Sequence, residues 1–206
     1  MPAPGKGSRF DDGERYASEF LAEVWVRCPR CDAPGVVVSP APYLRSRPTF
    51  TCASCTLQLA GRGSAWYGPS RGVAQRRCRQ CGRPLRRELR SARGYGEARV
   101  ILDCPGCGAG TETDVGWRPR PDGSPVDPAF GLPLRLQCPC AGRTLWALNP
   151  AHASFLRDFA AAGLRTRVPN RQRSLVSRLP AWIKAAKNRD AVTRALDRML
   201  ESVRSA

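Results

Sequence analysis

Residues 28–107 contain four Cys-x-x-Cys pairs: Cys28-Pro-Arg-Cys31, Cys52-Ala-Ser-Cys55, Cys78-Arg-Gln-Cys81 and Cys104-Pro-Gly-Cys107. The first two pairs are separated by 20 residues and the last two by 22. This is the spacing of two successive four-cysteine zinc sites, because each pair offers two thiolates and two pairs complete the tetrahedral sulfur cage that zinc favours. The sequence therefore predicts two zinc ions per chain, one held by Cys28, Cys31, Cys52 and Cys55 and the other by Cys78, Cys81, Cys104 and Cys107.

Short apolar strands flank these cysteines and predict hairpins. Val24-Trp25-Val26 leads into the first pair, Val36-Val37-Val38 leaves it, and Arg99-Val100-Ile101-Leu102 leads into the fourth. The predicted fold is small and metal-stabilised: two tandem zinc ribbons of antiparallel hairpins, followed by a C-terminal α-helical module, α+β overall. The predicted segments are an acidic flexible tail (1–22), ribbon 1 (23–67), ribbon 2 (73–117), a linker loop (118–133), a half-ribbon (134–148) and the helical module (149–206).

Composition indicates that the metal is needed for folding. Leu, Ile, Val and Phe make up about a fifth of the 206 residues, and the formal charge is +17. Chains of this kind bury little apolar surface. Structural zinc supplies about 10–16 kcal/mol of binding free energy per site, and this becomes folding free energy. We therefore expect both ribbons to depend on zinc.

The sequence favours a reducing, non-membrane environment. Met1 to Asp12 lacks the apolar stretch of a secretory signal, and no run of 18 apolar residues occurs in the chain. Ten cysteines are then better explained by zinc than by disulfides. We expect a cytoplasmic protein with no membrane partner.

The basic residues point to a polyanionic partner. Arginine accounts for 31 of the 34 basic residues, and two filled zinc sites would lower the charge only to about +13. Eight arginines surround the Cys78–Cys81 pair and form a candidate phosphate-contact surface. They are Arg76, Arg77, Arg79, Arg83, Arg86, Arg87, Arg90 and Arg93. Part of this set would offset the zinc-thiolate charge, and a solvated charged face is the alternative interpretation.

A fifth cysteine pair, Cys138-Pro-Cys140, lies between Leu134-Arg-Leu136 and Thr144-Leu-Trp146, so strand, knuckle and strand recur with half the cysteines of a ribbon. The only histidine, His152, follows 12 residues later. Three interpretations stay open: buried structural thiols, an incomplete or intersubunit zinc site of Cys138, Cys140 and His152, and a redox-active pair.

The C-terminal part has the pattern of helices. Asn149-Pro150 is a favourable helix start, Gly163 suggests its end, and residues 165–173 form a basic connector. Pro180 should interrupt the following helix, and Asn188 is a candidate cap for the last one. Apolar residues recur with helical period in all of these segments.

Aromatic residues follow both ribbons. Trp66 comes 11 residues after Cys55, and Trp117 comes ten after Cys107. Exposed, such side chains could stack on nucleic-acid bases; the favoured interpretation is that they cover the thin apolar face of each ribbon.

The two four-cysteine units resemble the zinc ribbons of transcription factors and of topoisomerase C-terminal regions. The segments Phe130-Gly-Leu-Pro-Leu-Arg-Leu-Gln-Cys-Pro-Cys140, Thr144-Leu-Trp-Ala-Leu-Asn149 and Ser177-Arg-Leu-Pro-Ala-Trp-Ile-Lys-Ala-Ala-Lys-Asn-Arg189 are similar to a family of uncharacterised bacterial multi-zinc-ribbon proteins. This second resemblance implies an architecture rather than an activity.

Together these features favour an accessory or regulatory protein that binds nucleic acid, DNA or RNA, mainly through the phosphate backbone. The alternative is a protein-interaction adaptor that uses the ribbon edges and the C-terminal helices. We expect no enzymatic activity and no small-molecule substrate, because four-sulfur zinc is coordinatively closed and no paired carboxylates accompany a histidine.

Overall fold

The computed structural model describes residues 9–10, 15–40, 47–61, 66–120, 124–162, 164–165 and 174–204. Its strands are β1 (Arg9–Phe10), β2 (Glu23–Arg27), β3 (Pro34–Val38), β4 (Thr49–Thr51), β5 (Gln58–Ala60), β6 (Ser70–Arg77), β7 (Pro84–Ser91), β8 (Arg99–Asp103), β9 (Gly110–Pro119), β10 (Leu136–Cys140), β11 (Arg143–Ala147) and β12 (Leu164–Arg165). Its α-helices are α1 (Pro150–Ala161), α2 (Leu175–Arg178), α3 (Ala181–Lys184) and α4 (Arg189–Arg204). The predicted α+β fold class, antiparallel sheets followed by helices, is confirmed.

The chain divides into two compact units. One combines residues 1–58 with residues 134–206, and the other comprises residues 59–133. The boundary falls inside β5, the last strand of the first ribbon. The first unit therefore contains most of ribbon 1 together with the β10–β11 hairpin, called the third hairpin below, and the helices.

In the first unit, ribbon 1 is an antiparallel sheet in the order β2-β3-β4-β5. Val24 and Val26 of β2 are buried, while their strand neighbours are more exposed, as period-2 alternation requires. Phe50 of β4 lies over Gly35, where an added Cβ would come within 2.5 Å of the phenylalanine ring. Glycine at this position lets the ring pack closely against β3.

Backbone hydrogen bonds join ribbon 1 to the C-terminal segment of the same unit. The Trp25 N–H donates to the Leu148 carbonyl at 2.7 Å, and the Arg135 N–H donates to the Trp25 carbonyl at 2.9 Å. The Asn149 side-chain amide donates to the carbonyls of Phe20 and Glu23. Residues 20–25 are thus bonded to residues 135–149, which joins the predicted segments 23–67, 134–148 and 149–206.

The core of the first unit lies between the third hairpin and the helices. β10 and β11 pair antiparallel, and their buried Leu136 and Leu145 pack with Leu156 of α1 and Leu196 of α4. The apolar stripe of α4 is therefore buried within this unit.

Helix boundaries follow the predicted signals. Asn149 caps α1 by accepting the His152 N–H at 2.8 Å, with Pro150 in the first turn. Pro180 separates α2 from α3. The helix α1 ends at Ala161. The predicted stop at Gly163 and most of the basic connector, residues 166–173, lie outside the described residues.

The N-terminal segment predicted as a flexible tail is anchored at two points. β1 pairs in parallel with β12, and the ring of Phe10 lies 5.4 Å from that of Phe155 in an edge-to-face arrangement. Phe20 is buried and stacks on His152 at 4.9 Å. Aromatic burial overrides the polar composition of this segment. Its acidic residues 11, 12 and 14 lie outside the described residues.

In the second unit, the strand order is β7-β6-β9-β8, all antiparallel. Ala74, Leu85, Leu102 and Val115 form its small core. Trp117 packs over Gly72, where an added Cβ would lie 3.0 Å from the indole, and its Nε1–H donates to the Glu97 carbonyl. The covering role predicted for this tryptophan is confirmed.

The segment predicted as a linker loop is structured in its described parts. β9 continues through Gly116 to Pro119. Asp127 is fully buried, and its carboxylate accepts the N–H groups of Ala129, Phe130 and Leu132 at 2.6–2.9 Å. Residues 118 and 119 lie in β9, whereas the described residues 124–133 form turns and an isolated bridge. The buried carboxylate organises the turn and allows the adjacent apolar residues to pack. Residues 121–123 lie outside the described part.

Candidate metal centres and basic surface

The four Cys-x-x-Cys turns share one backbone geometry. In each, the N–H of the first cysteine donates to the carbonyl five residues later, and the N–H four residues later donates back to that cysteine. All eight of these bonds lie between 2.8 and 3.1 Å. The residue after the second cysteine has a positive φ in every case. These residues are Asp32 (59°), Thr56 (58°), Gly82 (73°) and Gly108 (72°).

The first four-cysteine cluster joins the two turns of ribbon 1. The Sγ atoms of Cys28 and Cys55 lie 3.5 Å apart, as do those of Cys31 and Cys52. All four sulfurs lie within 4.8 Å of one another. Cys28 and Cys52 are buried, whereas Cys31 is exposed, so the cluster lies at the surface of the ribbon tip.

The second cluster repeats this geometry in ribbon 2. The Sγ distances are 3.6 Å for Cys78 and Cys107 and 3.5 Å for Cys81 and Cys104. Again all four sulfurs lie within 4.8 Å of one another, and none of the cysteines is in a disulfide. The sequence-predicted ligands are thus brought together in the predicted two sets of four.

Both clusters fit zinc. A tetrahedral site with Zn–S bonds of about 2.3 Å places its sulfurs about 3.8 Å apart, close to the separations found here. Four soft thiolates without a carboxylate select zinc over magnesium or calcium. The structure therefore supports two zinc sites per chain, each with all four positions filled by sulfur.

The hydrogen bonds within the turns shift the pKa values of the cysteine thiols. The N–H groups of Cys55 and then Ser54 lower the pKa of the Cys52 thiol to about 6, and those of Cys81 and Gln80 lower the pKa of Cys78 to about 6. At Cys31 the Ala33 N–H lowers the pKa, but partial loss of solvent around the sulfur and its hydrogen bonds with the neighbouring sulfurs together raise it to about 12. Four like charges do not form together at neutral pH without a cation, so metal binding must displace protons.

One of the predicted arginines, Arg83, packs against the turn between Cys104 and Cys107. A Cβ added at Gly106, between Cys104 and Cys107, would lie 2.9 Å from the guanidinium carbon of Arg83. This guanidinium therefore packs on the backbone of the second cluster, where a filled site carries a charge of about −2. Arg83 thus compensates the cluster locally, as part of the arginine set was expected to do.

The eight predicted arginines are all exposed but do not share one surface. Side chains alternate along a strand, and Leu85 and Ala74 mark the core-facing side of β7 and β6. Arg76 and Arg87 fall on that side in the pairing register. Arg77, Arg86 and Arg90 fall on the opposite, outward side. Arg79, Arg83 and Arg93 lie in the turns or bends.

The outward side carries two further arginines that sequence reasoning missed. Arg71 of β6 pairs directly with Arg90 of β7 on one side and with Arg118 of β9 on the other. We call the outward-facing set the basic face; it consists of Arg71, Arg77, Arg86, Arg90 and Arg118. Alternation along β6 links Arg71 to Arg77 in the sequence, but only the register of three strands places Arg90, Arg71 and Arg118 in one row.

One carboxylate, Glu88, neutralises part of this face. Its Oε1 accepts from the guanidinium groups of both Arg71 and Arg86. The hydrogen bond from Arg71 and then that from Arg86 hold the pKa of Glu88 below its ordinary value. Among the described ion pairs, Arg77, Arg90 and Arg118 have no carboxylate partner.

The structure does not group Cys138, Cys140 and His152. In the described residues, the clusters able to hold a metal are the two four-cysteine sets. Cys138 and Cys140 lie within β10 rather than at a turn, because Ala141 and Gly142, both with positive φ, form the two-residue hairpin. The predicted knuckle at this pair is therefore wrong.

These two thiols face the helices. Cys140 is buried in the core of the first unit, and Cys138 packs against the same core, with its Sγ 4.0 Å from the Ala195 carbonyl. Burial raises the pKa of both thiols, which keeps them protonated and weakly nucleophilic. Their placement favours the interpretation as structural thiols.

His152 is 3% exposed, and its Nδ1 accepts the Leu148 N–H at 3.1 Å. Burial lowers its pKa to about 4, so the ring is neutral at physiological pH. It serves as a packed core residue beneath Phe20.

Comparison with protein-family models, curated proteins and solved structures finds no significant match for this chain. The two four-cysteine clusters define its class as a protein with tandem zinc-binding ribbons. The resemblance to a particular bacterial family stays a sequence-based expectation. No helix in the described part of the chain is long and apolar enough to cross a membrane.

Proposed function

We propose that this protein binds nucleic acid through the phosphate backbone, with the basic face of ribbon 2 as the contact surface. The observation that carries the proposal is the row Arg90–Arg71–Arg118 on three adjacent strands. Like charges directly opposite each other destabilise a sheet. An anionic ligand that bridges the guanidinium groups would offset that repulsion.

The zinc clusters support this role by stiffening the sheet. The second cluster ties the end of the β6–β7 hairpin to the end of the β8–β9 hairpin through Cys78, Cys81, Cys104 and Cys107. Guanidinium groups on a rigid platform lose less conformational entropy on binding than those on a mobile chain. The role is therefore binding rather than catalysis, with closed zinc sites acting structurally.

The test is the salt dependence of binding to labelled oligonucleotides, measured by fluorescence anisotropy between about 50 and 200 mM salt. Each lost phosphate contact should reduce the slope of log K against log salt by roughly 0.7–0.9. The triple variant Arg71→Ala, Arg90→Ala, Arg118→Ala should therefore lose about 2–3 units of slope. The matched control, Arg76→Ala, Arg79→Ala, Arg87→Ala, removes the same charge elsewhere on ribbon 2.

Equal loss of slope in the two triple variants would show that net charge, not the basic face, governs binding. An absence of binding at 50 mM salt would contradict the proposal itself. Zinc content of each variant verifies that the ribbons remain folded.

A second candidate, protein interaction through the ribbon edges, is favoured by Ile101. This residue is 63% exposed on β8, an end strand of its sheet, beside a groove of about 370 Å³ between β7 and β8. A partner in extended conformation could pair with such an edge. The apolar face of α4, by contrast, is already packed within its own unit. Capture of a partner that resists nuclease and moderate salt, and that Ile101→Asp abolishes, would favour this candidate.

A further inference from the structure

We infer that the nucleic acid taken by the basic face is double-stranded DNA, bound without regard to base sequence. This inference rests on the proposed function and adds the strandedness and the form of the partner. The basic face supports it by the residues it contains, by the aromatic rings it lacks, and by the spacing of its arginines along the backbone.

The basic face lacks aromatic platforms. Surfaces that bind single strands combine basic groups with exposed aromatic rings on which bases stack. The other side chains that alternate onto this side of β6, β7 and β9 are small, aliphatic, polar or acidic. They are Val73, Gln75, Pro84, Glu88, Gly110, Glu112, Asp114 and Gly116.

Strands β6, β7 and β9 contain one aromatic residue, Trp117, and it is turned away from this side. The exposed Tyr95 lies between β7 and β8, outside these strands. Trp117 faces the opposite side, where it covers Gly72 and donates its indole N–H to Glu97. Trp66 is buried and donates its indole N–H to the Pro69 carbonyl. Neither ring is presented for base stacking, so the favourable contacts left to this face are those with phosphates.

The row geometry suits a narrow groove. Adjacent strands lie about 4.8 Å apart, so Arg90 and Arg118 on either side of Arg71 are about 10 Å apart at the backbone. The minor groove of B-form DNA is about 6 Å wide, with phosphate ridges on both sides. Flexible arginines held about 10 Å apart can reach both ridges at once. A-form RNA has a wide, shallow minor groove and a deep, narrow major groove, so its phosphate ridges are spaced differently from those of B-form DNA.

Base readout requires side chains inserted into a groove with a fixed donor and acceptor pattern. The row lies on the outward side of a sheet, and guanidinium groups match phosphate in a bidentate manner. Contacts to phosphates fix orientation but carry no sequence information. Affinity should therefore vary little among duplexes of different sequence.

The experiment compares four labelled 20-nucleotide probes at 100 mM salt: two B-form DNA duplexes of unrelated sequence, an RNA duplex and single-stranded oligo-dT. The full chain with zinc bound should bind both DNA duplexes within about twofold of each other. It should bind them about tenfold or more tightly than the single strand or the RNA duplex.

Two variants locate the effect. Arg71→Ala with Arg118→Ala should reduce the affinity for the DNA duplexes at least tenfold and bring it close to that for the single strand. Arg79→Ala with Arg93→Ala, of equal charge, should retain the preference for the duplex. If the zinc content shows that the first pair of substitutions impairs folding, Arg71→Lys with Arg118→Lys replaces it. This variant keeps the charge but removes the bidentate guanidinium groups. It should lower the affinity for the duplex to a smaller extent.

The outcomes distinguish a failure of this inference from a failure of the proposed function. Tight binding to the single strand or to the RNA duplex, equal to that for DNA duplexes, would overturn this inference and leave phosphate binding standing. A strong preference between the two DNA sequences would overturn the sequence-independent part. Failure of all four probes to bind would overturn the proposed function as well.

Discussion

At the residue scale, the cysteines and the arginines differ in how far the sequence determines their role. Cys28 and Cys52 were predictable as zinc ligands because the local Cys-x-x-Cys spacing fixes how each pair presents its sulfurs. Arg71 and Arg118 were not, because they lie 47 positions apart and meet only through the register of β6 and β9. Local chemistry is visible in sequence, whereas cross-strand neighbours require the pairing.

His152 gives a prediction of pH dependence. Burial lowers its pKa from the ordinary 6.5 to about 4 in the folded state. The unfolded chain therefore binds more protons between these values, so stability is fully present above pH 6.5 and is progressively lost down to pH 4. The loss should reach about 3 kcal/mol.

The measurement is urea unfolding of zinc-loaded protein between pH 7.5 and 4, with His152→Asn as the control. Asparagine can still accept the Leu148 N–H but does not titrate. Acid-induced zinc release affects both proteins alike, so the difference between their pH profiles isolates the histidine. Parallel profiles would show that the buried ring does not contribute.

At the scale of single elements, the same Cys-x-x-Cys turn occurs four times, which explains why a short sequence motif is enough to predict the ribbons. Each turn needs a left-handed residue after its second cysteine, and ribbon 2 uses Gly82 and Gly108 there. Ribbon 1 uses Asp32 and Thr56, which adopt the same conformation at a cost. The third hairpin lacks this turn, and Ala141–Gly142 closes it instead.

Substitution of two glycines in ribbon 2 tests this geometry. Gly108 has a φ of 72° and open space around a Cβ position, so Gly108→Ala should destabilise the protein by about 1 kcal/mol through backbone strain alone. Gly116 lies in β9 without a positive φ, and an added Cβ would meet only the Val73 carbonyl at 3.7 Å. Gly116→Ala should therefore be neutral or slightly stabilising.

Thermal unfolding of the two variants at saturating zinc is the appropriate measurement, and a lowering of Tm by a few degrees is expected for the first alone. Equal destabilisation by the two substitutions would indicate that the turn conformation is not what matters.

The third hairpin and the segment before it show what a local pattern misses. The Pro, Gly and Asp residues around Asp127 predict a loop, but they do not reveal that its carboxylate is buried and bonded to three N–H groups. Analogy with the ribbons predicts a knuckle at Cys138 and Cys140, yet the two residues lie in a strand that packs on α4. The contact between Cys138 and Ala195 joins residues far apart in the chain, so a local sequence pattern does not predict it.

At the scale of the whole molecule, the order of elements was predictable but their grouping was not. The α+β class and the two four-sulfur sets follow from spacing and periodicity in the chain. The union of ribbon 1 with the C-terminal segment depends on bonds such as Trp25 to Leu148, between residues 123 positions apart. No periodic pattern in the sequence predicts such a contact, because the contact depends on which strand edges remain unpaired after neighbouring strands have paired.

The measurement that tests the central claim most directly is zinc content by native mass spectrometry of the reduced, folded chain. The two four-cysteine clusters predict two zinc ions per chain, falling to one in either Cys52→Ser or Cys78→Ser, with unfolding of the altered ribbon. A folded chain that carries no zinc, or that keeps two ions in either variant, would contradict the account.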